Sequence, residues 1–211
     1  MTGGLAARVS LRNRERKFRL FMEHVRPTEQ TTIVDVGVAD APFGEAGGHA
    51  ATYNFLEAMY PWRERITAVS IDDLPHFAEA FPEIRRVQAD GRRLPFADGE
   101  FDVGFSNAVV EHLGDRPSQE QLVGELCRVS RRVFVTTPNR WFPVDVHTLL
   151  PLVHWLPARA RERALGLTGR ADVKGLRPLG PREFRSLFPY PVEIVNNGLT
   201  LAALGPARSE R

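Results

Sequence analysis

Three acidic positions follow stretches that are predicted as strands, the third of them more weakly than the first two. They are, in chain order, Asp35, Asp72 with Asp73 beside it, and Asp90. Parallel strands place their carboxyl ends along one edge of a sheet, so these carboxylates are expected to line one crevice. A carboxylate there can accept hydrogen bonds from a ribose diol, an exocyclic amine or an ammonium group. The pattern predicts a nucleoside-type site, although one such Asp alone often only caps a helix.

Glycines accompany two of these acids. Gly37 stands two residues after Asp35, and Gly91 directly follows Asp90. Glycine lets the backbone turn tightly and approach a ligand, which is how an open α/β sheet begins a ligand site. The first stretch alone would equally suit an ordinary strand-to-loop turn. The in-phase repetition downstream favours the ligand site.

Apolar runs of strand length alternate with segments of helical period, and together they would position these residues. The predicted strands are Thr31–Val36, Ile66–Ile71, Ile84–Gln88, Phe101–Ser106 and Arg132–Thr137. The predicted helices are Asn13–Val25, roughly Ala50–Tyr60 with Phe55, Leu56 and Met59 inward, His76–Phe81, and Pro117–Ser130 with Ser118 and Gln121 as a capping box. This alternation predicts right-handed crossovers and a parallel sheet covered on both faces.

The two ends of the chain differ from this pattern. Two apolar runs, Val192–Val195 and Leu199–Leu204, are joined by Asn-Asn-Gly, which predicts an antiparallel hairpin. The first helix carries an apolar stripe with its charges on the other face, and it is expected over the sheet edge or the ligand site.

Four segments resemble the class I S-adenosylmethionine-dependent methyltransferases, closest to the broad type 11 group. They read DVGVAD, SIDD, QADGRRLPFADGEFDVGFSNAVVEHL and RVFVTTPNRWFPVDVHTLLPLVHWLP, and they lie within Thr31–Pro157. The resemblance implies an α/β fold, namely a Rossmann-like sheet that is mostly parallel, with a C-terminal antiparallel hairpin and helices on both faces. It also implies S-adenosyl-L-methionine as the cofactor.

The resemblance implies cofactor-binding roles for Asp35, Gly37, Ala39, Asp72, Asp73, Asp90, Gly91, Ser106 and Asn107. The first three belong to the loop that holds the methionine end. One of the adjacent acids Asp72 and Asp73 would accept from the ribose hydroxyls, and Asp90 would contact the adenine amine. Ser106 and Asn107 would lie next to the transferable methyl.

The first motif departs from the family pattern D-x-G-x-G-x-G, because Ala39 and Ala41 replace its second and third glycines. The loop geometry must therefore differ. A segment at Ala41–Ala50, rich in Gly and Ala, lengthens the connection and is a candidate lid. A nicotinamide-binding site is less favoured, since Ala39 and Pro42 would stand at glycine positions of G-x-G-x-x-G.

Candidate catalytic residues follow the fourth predicted strand and the fifth. His112 is the candidate general base, since an imidazole titrates near neutral pH. Glu111 would orient that imidazole or face solvent, and His147 is a further candidate. The segment Asn139–Pro157 is expected to build the acceptor side, with Pro151 opening a helix that runs through Trp155, although a satellite core is the equal alternative. No metal site is predicted.

Length and composition predict one domain over residues 1–211, with an N-terminal helix at 1–27 and an acceptor-site or lid segment at 139–180. The single cysteine, Cys127, excludes an internal disulfide, and no secretory or membrane-spanning segment is apparent, so a cytoplasmic protein is expected. The net charge is +2, and the Arg-rich segments carry no nucleic-acid motif. The expected partner is a small-molecule or lipid- or carrier-linked acceptor, with at most peripheral membrane contact, for a monomer or homodimer.

Three functions remain open from the sequence. The first is a methyltransferase, and the second is an enzyme of the same fold recruited for another reaction such as cyclisation. The third is a non-catalytic module that binds a membrane surface or a partner through the aromatic segment and the arginines at 159–170.

Overall fold

One seven-stranded sheet organises the chain. The computed structural model describes residues 3–40, 54–145, 148, 150–167 and 175–205. The strands are β1 (Ile33–Val36), β2 (Ile66–Ser70), β3 (Arg85–Gln88), β4 (Phe101–Asn107), β5 (Ser130–Pro138), β6 (Glu193–Asn196) and β7 (Thr200–Leu204). The helices are α1 (Gly3–Val25), α2 (Phe55–Met59), α3 (Pro75–Ala80), α4 (Arg116–Val129), α5 (Ala158–Leu167) and α6 (Pro181–Arg185), with 3₁₀ turns at Arg63–Arg65, Val110–Leu113 and Val153–Trp155.

The strand order is β3-β2-β1-β4-β5-β7-β6. Strands β1 to β5 pair in parallel, so the carboxyl ends of the first four meet at one edge. Strand β7 is antiparallel to both β5 and β6. The predicted α/β class, the mostly parallel sheet and the C-terminal antiparallel hairpin are therefore confirmed.

Each face of the sheet is covered by helices, as predicted. On one face α4 and α6 pack through a cluster that includes Leu126 and Phe184. On the other face α1, α2 and α3 pack, and the Phe21 ring meets those of Phe105 and Phe134 at 5.6 and 5.4 Å. Such edge-to-face pairs add to the free energy of apolar burial. Helix α1 lies on the face of the sheet from which its Lys17 side chain reaches the carboxyl end of β4.

Several predicted details differ from the structure. Helix α1 begins at Gly3, ten residues before the predicted start. The N-cap of α4 is Asp115, which accepts from the Ser118 amide at 2.8 Å, so the predicted capping box is wrong. Met59 is 39% exposed because α2 has only five residues and buries little beyond its first turn.

The predicted helix from Pro151 through Trp155 is also wrong. Leu152 has a left-handed backbone with φ of 58°, which breaks a right-handed helix. Only the 3₁₀ turn Val153–Trp155 forms, and Pro151 instead pairs with Val144 in an isolated bridge. The candidate lid at 41–50 lies outside the described residues.

Candidate active site

A cavity of about 640 Å³ opens at the carboxyl edge of β1 to β4. Its size is within the range of small-molecule sites, roughly 300–1,000 Å³. The structure brings eight of the sequence-derived candidates to its walls: Asp35, Gly37, Ala39, Asp72, Asp90, Gly91, Asn107 and His112. The three acid positions that end β1, β2 and β3 therefore share one cavity.

Two of the candidate cofactor-binding residues do not line this cavity. The Asp73 carboxylate accepts from the Leu74 amide at 2.9 Å, at the start of α3. Ser106 is fully buried, and its hydroxyl donates to the Val36 carbonyl at 2.8 Å, which ties β4 to β1. Asp72, next to Asp73, lines the cavity, and so does Asn107, next to Ser106.

In the part of the loop after β1 that the structure describes, residues 37–40, position 37 requires glycine. Gly37 has φ of +97°, and a Cβ there would lie 2.2 Å from a Val109 methyl. Ala39 needs no such freedom, because its φ is not positive, and Asn54 also holds it in place. The Asn54 amide donates to the Ala39 carbonyl at 2.8 Å and accepts from its N–H at 3.3 Å. This clamp from the start of α2 holds the loop without the second family glycine.

Asp35 faces a second buried carboxyl group behind the cavity. Glu57, from α2, is completely buried, and Asp35 is 6% exposed. Desolvation raises the pKa of both carboxyls, and the proximity of Glu57 raises that of Asp35 further. The pair therefore takes up a proton more readily than two separate, solvated carboxyls would. A cationic ligand group beside Asp35 would favour release of a proton from the pair.

Asp90 is fixed by a neighbour on the same turn. The Arg92 guanidinium reaches both carboxylate oxygens at 2.6 to 3.1 Å, and the Arg92 amide also donates to one of them. These hydrogen bonds lower the pKa of Asp90. Gly91 is needed for close packing, because a Cβ there would lie 2.6 Å from Leu122 and 2.7 Å from Val36.

His112 and Glu111 point in different directions from the 3₁₀ turn after β4. His112 is exposed and lines the cavity. Glu111 is completely buried and accepts from the Thr137 hydroxyl at 3.0 Å, which corrects the expectation that it faces solvent. Burial raises the pKa of Glu111 to about 7. Its carboxylate contacts Thr137 of β5, and this contact does not support the hypothesis that Glu111 orients the His112 imidazole.

Lys17 is a site residue that the sequence analysis missed. It lies on the buried face of α1 with 6% exposure, and its ammonium donates to Asn107 Oδ1. The nitrogen lies 4.9 Å from the centre of the Phe55 ring. Burial, with a smaller effect from Arg14, lowers the pKa of Lys17 to about 7, while Glu111 opposes the shift. The expectation that the helix keeps its charges on the outer face is wrong.

The sequence carries a signal for Lys17 in its spacing. Positions 14, 17, 21 and 25 follow one stripe of a helix, and all four are buried. The sequence analysis places the charged residues of this helix on its outer face, and for that reason it leaves positions 14 and 17 out of the buried stripe.

The segment after β5 exposes aromatic side chains beside the site. Trp141 and Trp155 are 58% and 43% exposed, with ring centroids 6.2 Å apart. Beneath them His154 is buried, with Nδ1 3.7 Å from Asp145. His147 lies outside the described residues. Among the residues that the structure describes, no group of three His, Cys, Asp or Glu could hold a metal ion.

Residues 46–133 match a family model described as a methyltransferase domain. That match includes the ends of β2, β3 and β4 that build the cavity. That stretch of the chain is a methyltransferase domain. S-adenosylmethionine is its cofactor, and the type 11-like assignment made from the sequence is confirmed. A comparison with curated protein sequences finds no match.

Solved structures similar to this methyltransferase have the same fold. N-methyltransferase NodS from Bradyrhizobium japonicum WM9, with S-adenosyl-L-homocysteine, has a TM-score of 0.59 at 12% identity, over 93% of this chain and 87% of NodS. The 1,6-didemethyltoxoflavin-N1-methyltransferase of Burkholderia thailandensis has a TM-score of 0.55 at 15% identity, over 92% and 77%. A SAM-dependent methyltransferase from Methanosarcina mazei gives 0.53 at 14%, over 87% and 95%.

The residues of the cavity fit the cofactor. Asp35 offers a carboxylate to an ammonium group, and Asp72 offers one to a diol. The absence of a side chain at Gly37 leaves the backbone open to close approach. The methyltransferase thus combines a preformed cavity with polar groups of the kind a nucleoside and an amino acid require.

Proposed function

We propose that this protein transfers a methyl group from S-adenosylmethionine to a small or carrier-linked acceptor. The observation that carries the proposal is the distribution of groups along the cavity. Its acids lie at the ends of β1, β2 and β3, whereas Asn107 and His112 lie at and after the end of β4. A donor nucleoside that uses the acids leaves the β4 end for the acceptor.

In this proposal Asp72 accepts from the ribose hydroxyls, and Asp90 with Gly91 meets the adenine. Asp35 receives the ammonium group of the methionine end, with the Gly37 and Ala39 backbone beside it. The cofactor supplies a methyl group on a cationic sulfur, so the protein contributes alignment and exclusion of water. The contact of Asp73 with the start of α3 favours Asp72 over Asp73 as the ribose acceptor in this proposal.

His112 is the proposed general base for an acceptor that arrives protonated. Its side chain is exposed within the cavity wall, so a proton taken from the acceptor can pass on to water. Glu111 is not part of this step in the proposal, because it is buried against β5.

The acceptor side extends into residues 139–180, within one domain over 1–211. The Burkholderia thailandensis structure was solved with 1,6-didemethyltoxoflavin bound, which is a small acceptor. A small biosynthetic acceptor in the cytoplasm, and a monomer or homodimer, are in keeping with such an enzyme. Within the described residues no helix is long and apolar enough to cross a membrane.

Binding of S-adenosylhomocysteine tests the proposal. Calorimetry should give a dissociation constant in the micromolar range or tighter, and the melting temperature should rise. A ligand at 100 times its dissociation constant adds about 2.7 kcal/mol to the free energy of unfolding. Absence of any thermal shift at millimolar ligand would contradict cofactor binding. Turnover of a substrate without consumption of S-adenosylmethionine would instead favour a recruited enzyme such as a cyclase.

A second candidate, contact with a membrane surface, is favoured by the exposed Trp141 and Trp155. Tryptophan is enriched where proteins meet a membrane interface, and α5 follows with arginines at 159, 161 and 163. Flotation with phosphatidylglycerol vesicles would test this contact, with phosphatidylcholine vesicles as the control. If the protein floats with these vesicles and does not bind S-adenosylhomocysteine, the non-catalytic module is favoured.

A further inference from the structure

Asn107 lines the cavity, and the oxygen of its side-chain amide is occupied by donors from the protein. Its oxygen accepts two hydrogen bonds from the protein side, one from the Lys17 ammonium and one from the Thr136 hydroxyl at 2.8 Å. Lysine can only donate, so these contacts fix which end of the amide is the oxygen. Among the described residues, Nδ2 of Asn107 has no hydrogen-bond partner. Because Asn107 lines the cavity, its N–H donors remain for a ligand.

Lys17 is held in place by α1 and by its surroundings. Its position on α1 is four residues before Phe21, which is buried against β4 and β5. Its ammonium lies over the Phe55 ring, and Glu111 opposes the loss of its charge. The contact with Asn107 is therefore made from the buried face of α1.

We propose that Asn107 and Lys17 form a subsite for an oxygen nucleophile, so that the acceptor is a carboxylate or an acidic hydroxyl. The inference rests on the proposed function and specifies its acceptor atom. An oxygen with lone pairs accepts the hydrogen bonds that Nδ2 donates. An amine would need a hydrogen-bond acceptor to orient its N–H groups, and the amide oxygen is already occupied by Lys17 and Thr136. Asn107 contacts the acceptor, and Lys17 is a positioning residue.

The charge of Lys17 adds to this preference. An anion on the other side of the Asn107 amide favours the ammonium form, although burial lowers the pKa of Lys17 to about 7. The acceptor oxygen supplies the electron pair of the new O–CH₃ bond, and the pair of the broken S–CH₃ bond stays on sulfur. A carboxylate releases no proton, and an acidic hydroxyl gives its proton to the His112 imidazole.

Small ions test the subsite without knowledge of the substrate. We would follow the side-chain amide signals of Asn107 by ¹⁵N NMR in the full chain, with and without saturating S-adenosylhomocysteine. Formate should shift these signals in a saturable way, and methylammonium should not. Stronger or equal shifts with methylammonium, or no shift with either ion, would overturn the proposal. Failure of S-adenosylhomocysteine to bind would overturn the proposed function. The formate titration of the free protein would still test the subsite in that case.

Variants at position 17 separate the role of Lys17 from general effects. Lys17→Met should weaken formate binding by about tenfold or more, as expected for a lost hydrogen bond that involves a charged group. Lys17→Arg should restore most of it, because it keeps a charged donor. Arg16→Met is the matched control, since Arg16 is exposed on the same helix. Equal formate affinity in Lys17→Met and wild type would remove Lys17 from the subsite.

Discussion

The buried Lys17 and Glu111 should give the free energy of unfolding an unusual dependence on pH. Burial lowers the pKa of Lys17 from 10.5 to about 7. Below pH 7 both the folded and the unfolded chain hold the proton, and between pH 7 and 10.5 only the unfolded chain does. Stability from this group therefore rises with pH across that window. One pKa unit corresponds to 1.36 kcal/mol, so the rise is on the order of 5 kcal/mol.

Glu111 should act in the opposite direction at lower pH. Its pKa is raised from 4.5 to about 7, so its contribution is fully present below pH 4.5 and is lost as pH rises to 7. By the same conversion the loss is on the order of 3 kcal/mol. Together the two groups place a local minimum of stability near pH 7.

Urea unfolding from pH 4.5 to 10 measures both effects as differences from single variants. The free energy of wild type minus that of Lys17→Met should rise between pH 7 and 10, and wild type minus Glu111→Gln should fall between pH 4.5 and 7. Titrating groups that interact with neither Lys17 nor Glu111 cancel in each difference. Arg16→Met, which removes an exposed charge from the same helix, should give a flat difference. A flat difference for Lys17→Met as well would refute the argument from burial.

Three further predictions concern the cavity. Asp72→Ala should weaken S-adenosylhomocysteine binding by about 1–3 kcal/mol in calorimetry, because a ribose hydroxyl loses its acceptor, while Asp73→Ala should leave affinity unchanged. Equal affinities in both variants and wild type would place the ribose contact elsewhere. His112→Gln should lower the rate of methylation of a protonated acceptor by roughly 10²–10⁴-fold with unchanged cofactor affinity, and an unchanged pH–rate profile would exclude a base. In the wild type, the raised pKa of Glu57 makes folding take up a proton above the ordinary carboxyl pKa, so the free energy of unfolding falls as pH rises. Glu57→Gln should remove this fall. Urea unfolding at pH 5 and 8 checks this, and a pH dependence equal to wild type would contradict it.

The sheet was predictable because its information is local. Buried parallel strands such as β1 and β2 appear as short β-branched runs, and an acid stands at or just after the ends of β1, β2 and β3. The positions of Asp35, Asp72 and Asp90 in one cavity follow from strand direction alone. The observed strand boundaries differ from the predicted ones by one or two residues; β4, for example, extends to Asn107.

The orientation of individual side chains was not predictable in the same way. Ser106 and Asn107 are adjacent, and strand alternation sends them to opposite sides. The sequence does not say which of the two faces the cavity, because that depends on the register between β4 and β1. Likewise, the Leu152 backbone breaks a helix that the proline before it would otherwise begin.

Lys17 shows where local reasoning fails for a physical reason. A lysine on a helix is normally solvated, since burial of its charge opposes folding. The cost derived above, on the order of 5 kcal/mol, is comparable with the whole stability of an ordinary domain, about 5–15 kcal/mol. An apolar residue at this point of the α1 stripe would stabilise the fold more. The contact with Asn107 is the feature that an apolar residue could not supply, and it lies at the end of the cavity left for the acceptor. Packing therefore does not account for the lysine, whereas control of the Asn107 amide does.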